Sequence, residues 1–371
     1  MTVGQIRRKE GPSRPVEIDV KRSLLWAAWL CAACSAPSPV NLYAESHDTP
    51  APEKGAPTAS AAPPQPSNLT PRHAFRIPND RRLIGIAGSG DTVFFSLEGS
   101  GFRDTRGHVG RLARSGDIIS HHGPAARHIR VIRDEAIAVG EGGGVAVFKN
   151  GAWEYRLAPA LEAEALGSAT LGDNGELFAA GEKHALYELS ADGATWRTWR
   201  YGTPVNGVRA ALVVSGAIRL VLGSGEVLEF SGGAFKRVPI QGLTVGSLAS
   251  ETQASWIDER AKTVWLAGEK SLTVIDVSAK RATVHESPLF FDLKAISGVA
   301  TPKGSLVVVS TFGESAYFDG TDFFELDKDG ADVVFVDGRH AQAYLLSHGR
   351  SKIVDVKHPW LGTGKGTLKT R

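Results

Sequence analysis

Short apolar segments recur along most of the chain, each ending at a small residue that is followed by a polar turn and a segment of alternating polarity. Clear copies are residues 220–223 before 227–230 and residues 265–268 before 272–275. Apolar runs of this length between turn residues are typical of β-strands. The pattern therefore predicts successive antiparallel strand pairs, and only residues 158–167 have a helix-like pattern.

The small residues mark a regular period. They stand at positions 96, 140, 181, 223, 268, 311 and 347, which are 44, 41, 42, 45, 43 and 36 residues apart. Seven copies of about 42 residues match the four-stranded blade of a propeller, whose period is about 40 to 45 residues. We therefore predict an all-β fold, a single β-propeller of seven blades, with six or eight blades as the alternatives.

Turn residues and the chain ends of the repeat region extend this prediction. Several copies run into a turn and then an aromatic residue, as in 148–153, 230–235 and 318–323. Such turns predict hairpins whose aromatic residue packs between neighbouring blades. The seventh copy ends near Trp360, before a full fourth strand. We predict that residues 74–77 supply this strand and close the ring, which removes open sheet edges.

Proline marks a boundary before the predicted propeller. Residues 35–72 hold 9 of the 19 prolines, whereas residues 73–371 hold 8. A segment so rich in proline and poor in large apolar side chains cannot bury enough surface to offset its ordering entropy. We predict four regions, namely a signal segment at 1–33, a lipidated cysteine with a disordered linker at 34–72, the propeller at 73–360, and a polar tail at 361–371.

Within the signal segment, the two basic residues at 21–22 precede about ten apolar residues and then small residues, which is the layout of a secretory signal. It is too short to span a bilayer, which takes roughly 20 apolar residues. Residues 31–34 resemble the lipobox of bacterial lipoproteins, although Cys31 stands where leucine is usual. The resemblance implies cleavage between Ala33 and Cys34 and a lipid on Cys34. A conventional signal peptide or a short uncleaved anchor is the alternative.

Cysteine and charge exclude several classes of function. Both cysteines lie before residue 35, so the propeller has none for a disulfide, a metal site or a thiol nucleophile. Residues 1–33 contain six basic and three acidic residues, so the rest of the chain contains 36 basic and 37 acidic residues and is nearly neutral. Because phosphate binding needs a local excess of positive charge, nucleic acid is not a predicted partner. By the lipobox resemblance, Ser35 implies the outer membrane of a two-membrane cell.

Two short motifs resemble sialidase-type propellers. Residues 75–78 match a Phe-Arg-Ile-Pro motif, and the resemblance implies that Arg76 binds a substrate carboxylate, with Asp104 as a candidate acid/base. Residues 190–196 are similar to the Asp-box hairpin but are one residue short. A sialidase also needs two more arginines and a tyrosine nucleophile with its base, and no tyrosine here has a context that marks it for that role.

Histidines and aspartates suggest two metal sites. We predict that His121, His122 and His128 are ordinary surface-loop histidines, and the alternative is a site that binds zinc or copper through their neutral imidazoles. Residues 327–332 resemble part of a calcium loop but lack its third alternating acid and its closing glutamate. For this segment we predict an Asp/Gly turn between blades. We predict no cofactor.

Taken together, the chain resembles lipid-anchored bacterial propellers of the WD-repeat or Asp-box kind, a resemblance of architecture that implies a rigid disc tethered to a membrane. No catalytic set is complete, and a fold alone does not specify chemistry. We therefore predict a scaffold that binds an envelope protein or an extracellular polymer such as a polysaccharide, rather than an enzyme. The alternative is a sialidase-like glycan hydrolase or glycan-binding propeller that uses the central funnel.

Overall fold

Seven antiparallel sheets follow one another along the chain in a computed structural model of the protein. The model describes residues 81–89, 92–99, 106–112, 118–203, 205, 207–243, 254–347 and 350–361. Within these ranges, six sheets have four strands and the last has three, and strands that are consecutive in the chain are paired in every sheet. We number the sheets as blades 1 to 7 in chain order.

The first four blades contain sixteen strands. Blade 1 comprises β1 (Arg81–Ser89), β2 (Thr92–Gly99), β3 (Arg106–Leu112) and β4 (Ile118–Pro124), and blade 2 comprises β5 (His128–Ile132), β6 (Glu135–Val139), β7 (Gly144–Lys149) and β8 (Ala152–Leu157). Blade 3 comprises β9 (Leu166–Leu171), β10 (Leu177–Gly181), β11 (Ala185–Leu189) and β12 (Trp196–Arg200), and blade 4 comprises β13 (Val208–Val214), β14 (Ala217–Leu222), β15 (Val227–Ser231) and β16 (Ala234–Val238).

The last three blades contain the other described strands. Blade 5 comprises β17 (Ala254–Asp258), β18 (Thr263–Gly268), β19 (Ser271–Asp276) and β20 (Arg281–Glu286). Blade 6 comprises β21 (Ala295–Thr301), β22 (Gly304–Ser310), β23 (Ser315–Phe318) and β24 (Phe323–Asp327), and blade 7 comprises β25 (Val333–Asp337), β26 (Gln342–Ser347) and β27 (Arg350–Asp355). In the described residues the helical elements are two short 3-10 turns, Glu141–Gly143 and Leu161–Ala163.

The first strands of neighbouring blades contact one another around a central axis, and β25 of the last blade contacts β1 of the first. This closed arrangement is a seven-bladed β-propeller, so the predicted fold and the predicted number of blades are confirmed. The helix-like pattern of residues 158–167 corresponds to a single 3-10 turn. No helix in the described ranges is long and apolar enough to cross a membrane.

The small residue that sets the sequence period lies at or near the end of the second strand in each blade. Gly140 shows why, because a Cβ atom there would stand 2.1 Å from the carbonyl oxygen of Ala125. The backbone amide of Leu166 also donates to the Gly140 carbonyl at 3.0 Å. In blade 1, Ser96 Oγ accepts a hydrogen bond from the amide of Ala126 at 3.1 Å. Small residues therefore recur where the second strand touches the segments that connect the blades.

Each pair of neighbouring blades shares an apolar core, and the described residues form seven such clusters. One cluster closes the ring by packing Phe95 and Leu97 of blade 1 against Phe335 and Tyr344 of blade 7. Burial of apolar surface between blades, at about 25 cal/mol per Å², is the main force that holds the ring together.

The aromatic residues of the predicted hairpins pack as expected. Trp153, after the turn in blade 2, lies 5.4 Å from Phe148 of its own blade and 5.8 Å from Phe94 of blade 1, between ring centroids. Asn150 and Gly151 in that turn have φ of 52° and 85°, the left-handed values that a two-residue hairpin requires. The predicted closing strand at 74–77 lies outside the described residues, as do the signal segment and the linker.

Candidate functional site

The first strands of the blades line a central channel. Side-chain hydroxyls connect neighbouring first strands, because Ser168 Oγ accepts from the amide of Ala211 at 3.0 Å and Ser297 Oγ accepts from the amide of Val336 at 3.3 Å. Neighbouring first strands belong to different sheets, so no backbone ladder pairs them at the axis. These side-chain bonds therefore satisfy backbone amides that would otherwise lack a partner. The channel wall is therefore fixed from blade to blade by side chains.

Arg130 reaches across this channel from the middle of β5. Its guanidinium donates to the carbonyl oxygen of Ala169 on β9 at 3.1 Å and to that of Ala211 on β13 at 2.6 Å, and it pairs with Glu259, which follows β17. Burial lowers the pKa of Arg130, and the Glu259 carboxylate opposes that shift. One side chain thus joins blades 2, 3, 4 and 5 and covers the channel side of β9 and β13.

His128 lies two residues before Arg130 in the same wall. Its Nε2 is 3.2 Å from Ser168 Oγ. Burial, with repulsion from the Arg130 charge, lowers the pKa of the imidazole to about 3, so the ring is neutral at pH 7. Because Ser168 is 0% exposed, this serine and histidine are a structural link and not a nucleophile and base that a ligand could reach.

Charged side chains surround one end of the channel, the end at which the first strands begin, which we call the mouth. Three ion pairs stand there, Arg127 with Glu141 at 3.5 Å, Arg209 with Glu182 at 3.8 Å, and Lys294 with Asp332 at 3.5 Å. The pKa of Lys294 lies below its usual value, because burial and the charge of Arg82 lower it by more than Asp332 raises it. Each of the three paired cations has an acidic partner, so these pairs offer hydrogen-bonding groups of both signs.

The cavity of the channel has a volume of about 1100 Å³. Its lining extends from Arg82 and Asp332 at the mouth to Asp337 and Arg339 at the opposite end. Strands β1, β5, β17, β21 and β25 line it along their length, whereas β9 and β13 contribute residues near their starts only. The free space is therefore eccentric, and we call its boundary of blades 5, 6, 7, 1 and 2 the open side.

The three candidate histidines do not form a common site. His121 and His122 are exposed and consecutive on β4, where successive side chains point to opposite faces, and the His122 ring lies 4.7 Å from that of His108. His128 lies in the channel wall. Among the residues that the structure describes, no group of three or more His, Cys, Asp or Glu side chains could hold a metal ion.

The candidates drawn from resemblance lie partly outside the structure. Arg76, Asp104, Ala33 and Cys34 are outside the described residues, so their predicted roles stay predictions. The segment 190–196 does form a tight turn between β11 and β12. There the Asp192 carboxylate accepts from the Ser190 hydroxyl at 2.5 Å and from the amide of Ala194 at 3.0 Å, and these bonds lower the pKa of Asp192.

The acidic segment 327–332 is also a turn, and a lysine occupies its carboxylates. Lys352 Nζ lies 2.6 Å from Asp327 and 2.9 Å from Asp329, while Asp327 accepts from the amide of Asp329 at 2.8 Å. These contacts hold the pKa of Asp327 below its usual value against the effect of burial. The segment agrees with the predicted turn between blades.

Sequence reasoning missed the residues that shape the channel, above all Arg130 and Glu259. A signal for the first was present, since Arg130 stands between the apolar residues Ile129 and Val131 in a short strand. A charged residue at such a position is buried only when it is paired. Its partner is 129 residues away in the chain, and no local pattern identifies it.

No family model matches the chain, and no curated protein matches it in sequence. Among solved structures, a streptogramin B lyase has a TM-score of 0.58 at 13% identity, over 76% of this chain and 96% of that one. A catalytically inactive virginiamycin B lyase from Staphylococcus aureus with quinupristin has a TM-score of 0.56 at 12% identity, over 75% of this chain and 95% of that one.

PorZ, a bacterial surface component of the type-IX secretion system of Porphyromonas gingivalis, is also similar. Its TM-score is 0.54 at 10% identity, over 73% of this chain and 46% of that one. Identities this low show a common fold and carry no information on activity. The chain is therefore a seven-bladed β-propeller like these proteins.

Proposed function

We propose that the protein is an exported, lipid-anchored binding module of the cell envelope, a scaffold whose channel mouth receives an envelope protein. The observation that carries the proposal is the eccentric channel of about 1100 Å³ with its ring of ion pairs at the mouth. A cavity of this size, with a few converging polar groups, is typical of binding sites in proteins.

The chemistry of the mouth favours binding over catalysis. The exposed pair of Arg127 with Glu141 contributes only about 0 to 1 kcal/mol, so its charged groups can exchange partners at little cost when a ligand arrives. The one serine and histidine pair in the wall has a buried hydroxyl. PorZ, which has a similar fold, is a bacterial surface component, and this supports a place in the envelope.

The mouth can be tested by charge reversal. Full-length protein with Arg82→Glu and Arg127→Glu, solubilised from the envelope, should capture its partner at least fivefold less than the natural chain, because both side chains are exposed at the mouth. Quantitative mass spectrometry of the captured proteins measures this. Arg197→Glu is the control, since Arg197 is 68% exposed on β12, away from the mouth. Equal capture by all three proteins would contradict the proposal.

The same proteins distinguish the alternative of a glycan ligand. If the natural chain captures no protein but binds a glycan array or cleaves a sialoside, the central funnel serves a glycan. Arg76→Ala should then abolish that binding or cleavage, as the resemblance to sialidases implies.

A further inference from the structure

Three phenylalanines stand exposed beside the channel mouth. Phe290 and Phe291 lie in the loop before β21, and Phe312 lies in the loop after β22, so both loops are at the end where first strands begin. The three are 75%, 45% and 73% exposed, and we call them the aromatic patch. The rings of Phe290 and Phe291 are 5.0 Å apart between centroids. The Lys294 ammonium of the mouth lies over the ring of Phe312.

Hydrogen bonds hold both loops in this position. The Glu314 carboxylate accepts from the amide of Phe290, which joins one loop to the other. In the second loop, Thr311 Oγ1 accepts from the amides of Gly313 at 3.2 Å and Glu314 at 3.0 Å. The aromatic rings are therefore presented by a structured surface, and little ordering entropy remains to be lost when a partner binds.

The size of the patch fits the centre of a protein interface. A phenylalanine side chain buries about 150 to 250 Å², so the exposed fractions amount to roughly 400 Å² of apolar surface. A standard interface buries about 800 Å² on each partner, with an apolar centre and a polar rim. The patch supplies such a centre, and the ion pairs of the mouth supply part of such a rim.

The charges around the patch argue against a polyanion or an anionic membrane as the occupant. Lys294 is paired with Asp332, and Lys352, on the neighbouring blade, is paired with Asp327 and Asp329. No surplus of positive charge is left by these pairs to attract phosphate or sulfate groups. Attachment at the patch therefore depends on apolar contact and not on a long-range field.

The patch also lies on the open side of the channel, because blades 5 and 6 carry both. Resting on the proposed function, we propose that the aromatic patch docks a protein partner through a cluster of its apolar side chains, and that this partner reaches from the patch to the channel mouth. Its contact surface carries little net charge. Aromatic residues in the centre of an interface commonly provide most of its binding energy.

Site-specific photocrosslinking in the native envelope can identify the partner. A photoreactive phenylalanine at position 290 should crosslink reproducibly to one protein, and the same group at position 284 should not, because Val284 is also exposed, at 46%, but lies on β20. The crosslinked protein is then purified and its affinity for the full-length chain is measured by calorimetry.

We expect Phe290→Ser with Phe312→Ser to weaken that affinity at least tenfold, and Val284→Ser to change it less than twofold. This loss should be the same at 0.05 and at 0.5 M NaCl, since apolar contact is not screened. Thermal unfolding of the double variant should match that of the natural chain, because both side chains are exposed.

Other outcomes overturn this inference in recognisable ways. Crosslinks from position 290 to a second copy of the chain would assign the patch to self-association. If position 290 crosslinks to no protein, and the natural chain floats with lipid vesicles while the double variant does not, the patch is assigned to the lipid surface. If Arg82→Glu with Arg127→Glu abolishes binding of the partner and the serine variant does not, the mouth proposal stands and the patch proposal fails.

Discussion

Arg130 is the residue on which the geometry of the channel depends most. Its guanidinium donates hydrogen bonds to two carbonyl oxygens and forms an ion pair with Glu259. These three partners lie on three different blades, none of which is its own. Removing one partner of such a group leaves buried acceptors unsatisfied, which costs more than the interaction itself contributes. The side chain is therefore a structural link as well as part of the channel wall.

Arg130→Met should lower the free energy of unfolding by about 2 to 4 kcal/mol, because methionine fills similar space but cannot donate to the carbonyls. The value lies below that of a fully buried pair since Glu259 keeps Lys262 as a neighbour at 3.0 Å. Urea unfolding followed by tryptophan fluorescence measures it. Arg197→Met removes the exposed pair with Glu188 and should cost less than about 1 kcal/mol. Similar losses in both variants would contradict the role of Arg130.

The strands and turns of this structure could be predicted from the sequence. The second and third strands of each blade are apolar or alternating runs between turn residues, and at Gly140 the connecting segment leaves no space for a Cβ atom. First strands were harder to recognise. Several of them, including β5 with His128 and Arg130, carry polar residues toward the channel and so lack a simple alternation.

The closing strand is the element that remains to be tested. If residues 74–77 pair with β27, Phe75→Asp with Ile77→Asp should lower the melting temperature by several degrees, since charge would replace apolar side chains in the outer strand of blade 7. A loss of about 1 kcal/mol corresponds to roughly 2 to 4 °C in domains of 150 to 250 residues. Differential scanning calorimetry measures this, with Thr70→Asp as the control. An unchanged melting temperature would mean that another segment, or none, completes the blade.

At the scale of the whole molecule, the period predicted the ring but not the site. Seven similar repeats specify seven similar interfaces, and these interfaces were recovered from the sequence. The channel is shaped instead by what differs between blades, such as Arg130 on β5 and the phenylalanines before β21. Contacts of this kind join residues that are distant in the chain, so they follow from the closed ring and not from any local pattern.

Attachment to the envelope is a property of the whole molecule that one substitution can examine. By the lipobox resemblance, Cys34→Ser should move the protein from the membrane fraction to the soluble fraction, because the lipid would be its anchor. Immunoblotting of fractionated cells measures the partition, and Cys31→Ser serves as the matched control. Unchanged partition of the Cys34→Ser protein would contradict lipid anchoring through Cys34.

A ring of seven alike blades could in principle receive a partner in seven rotational settings. Arg130 removes that degeneracy, since it occupies the channel in front of β9 and β13 and leaves space only on the open side. A partner can therefore enter the channel on one side of its axis only. A partner that binds there is held in one orientation about the axis, so a ring of nearly sevenfold symmetry provides an asymmetric binding site.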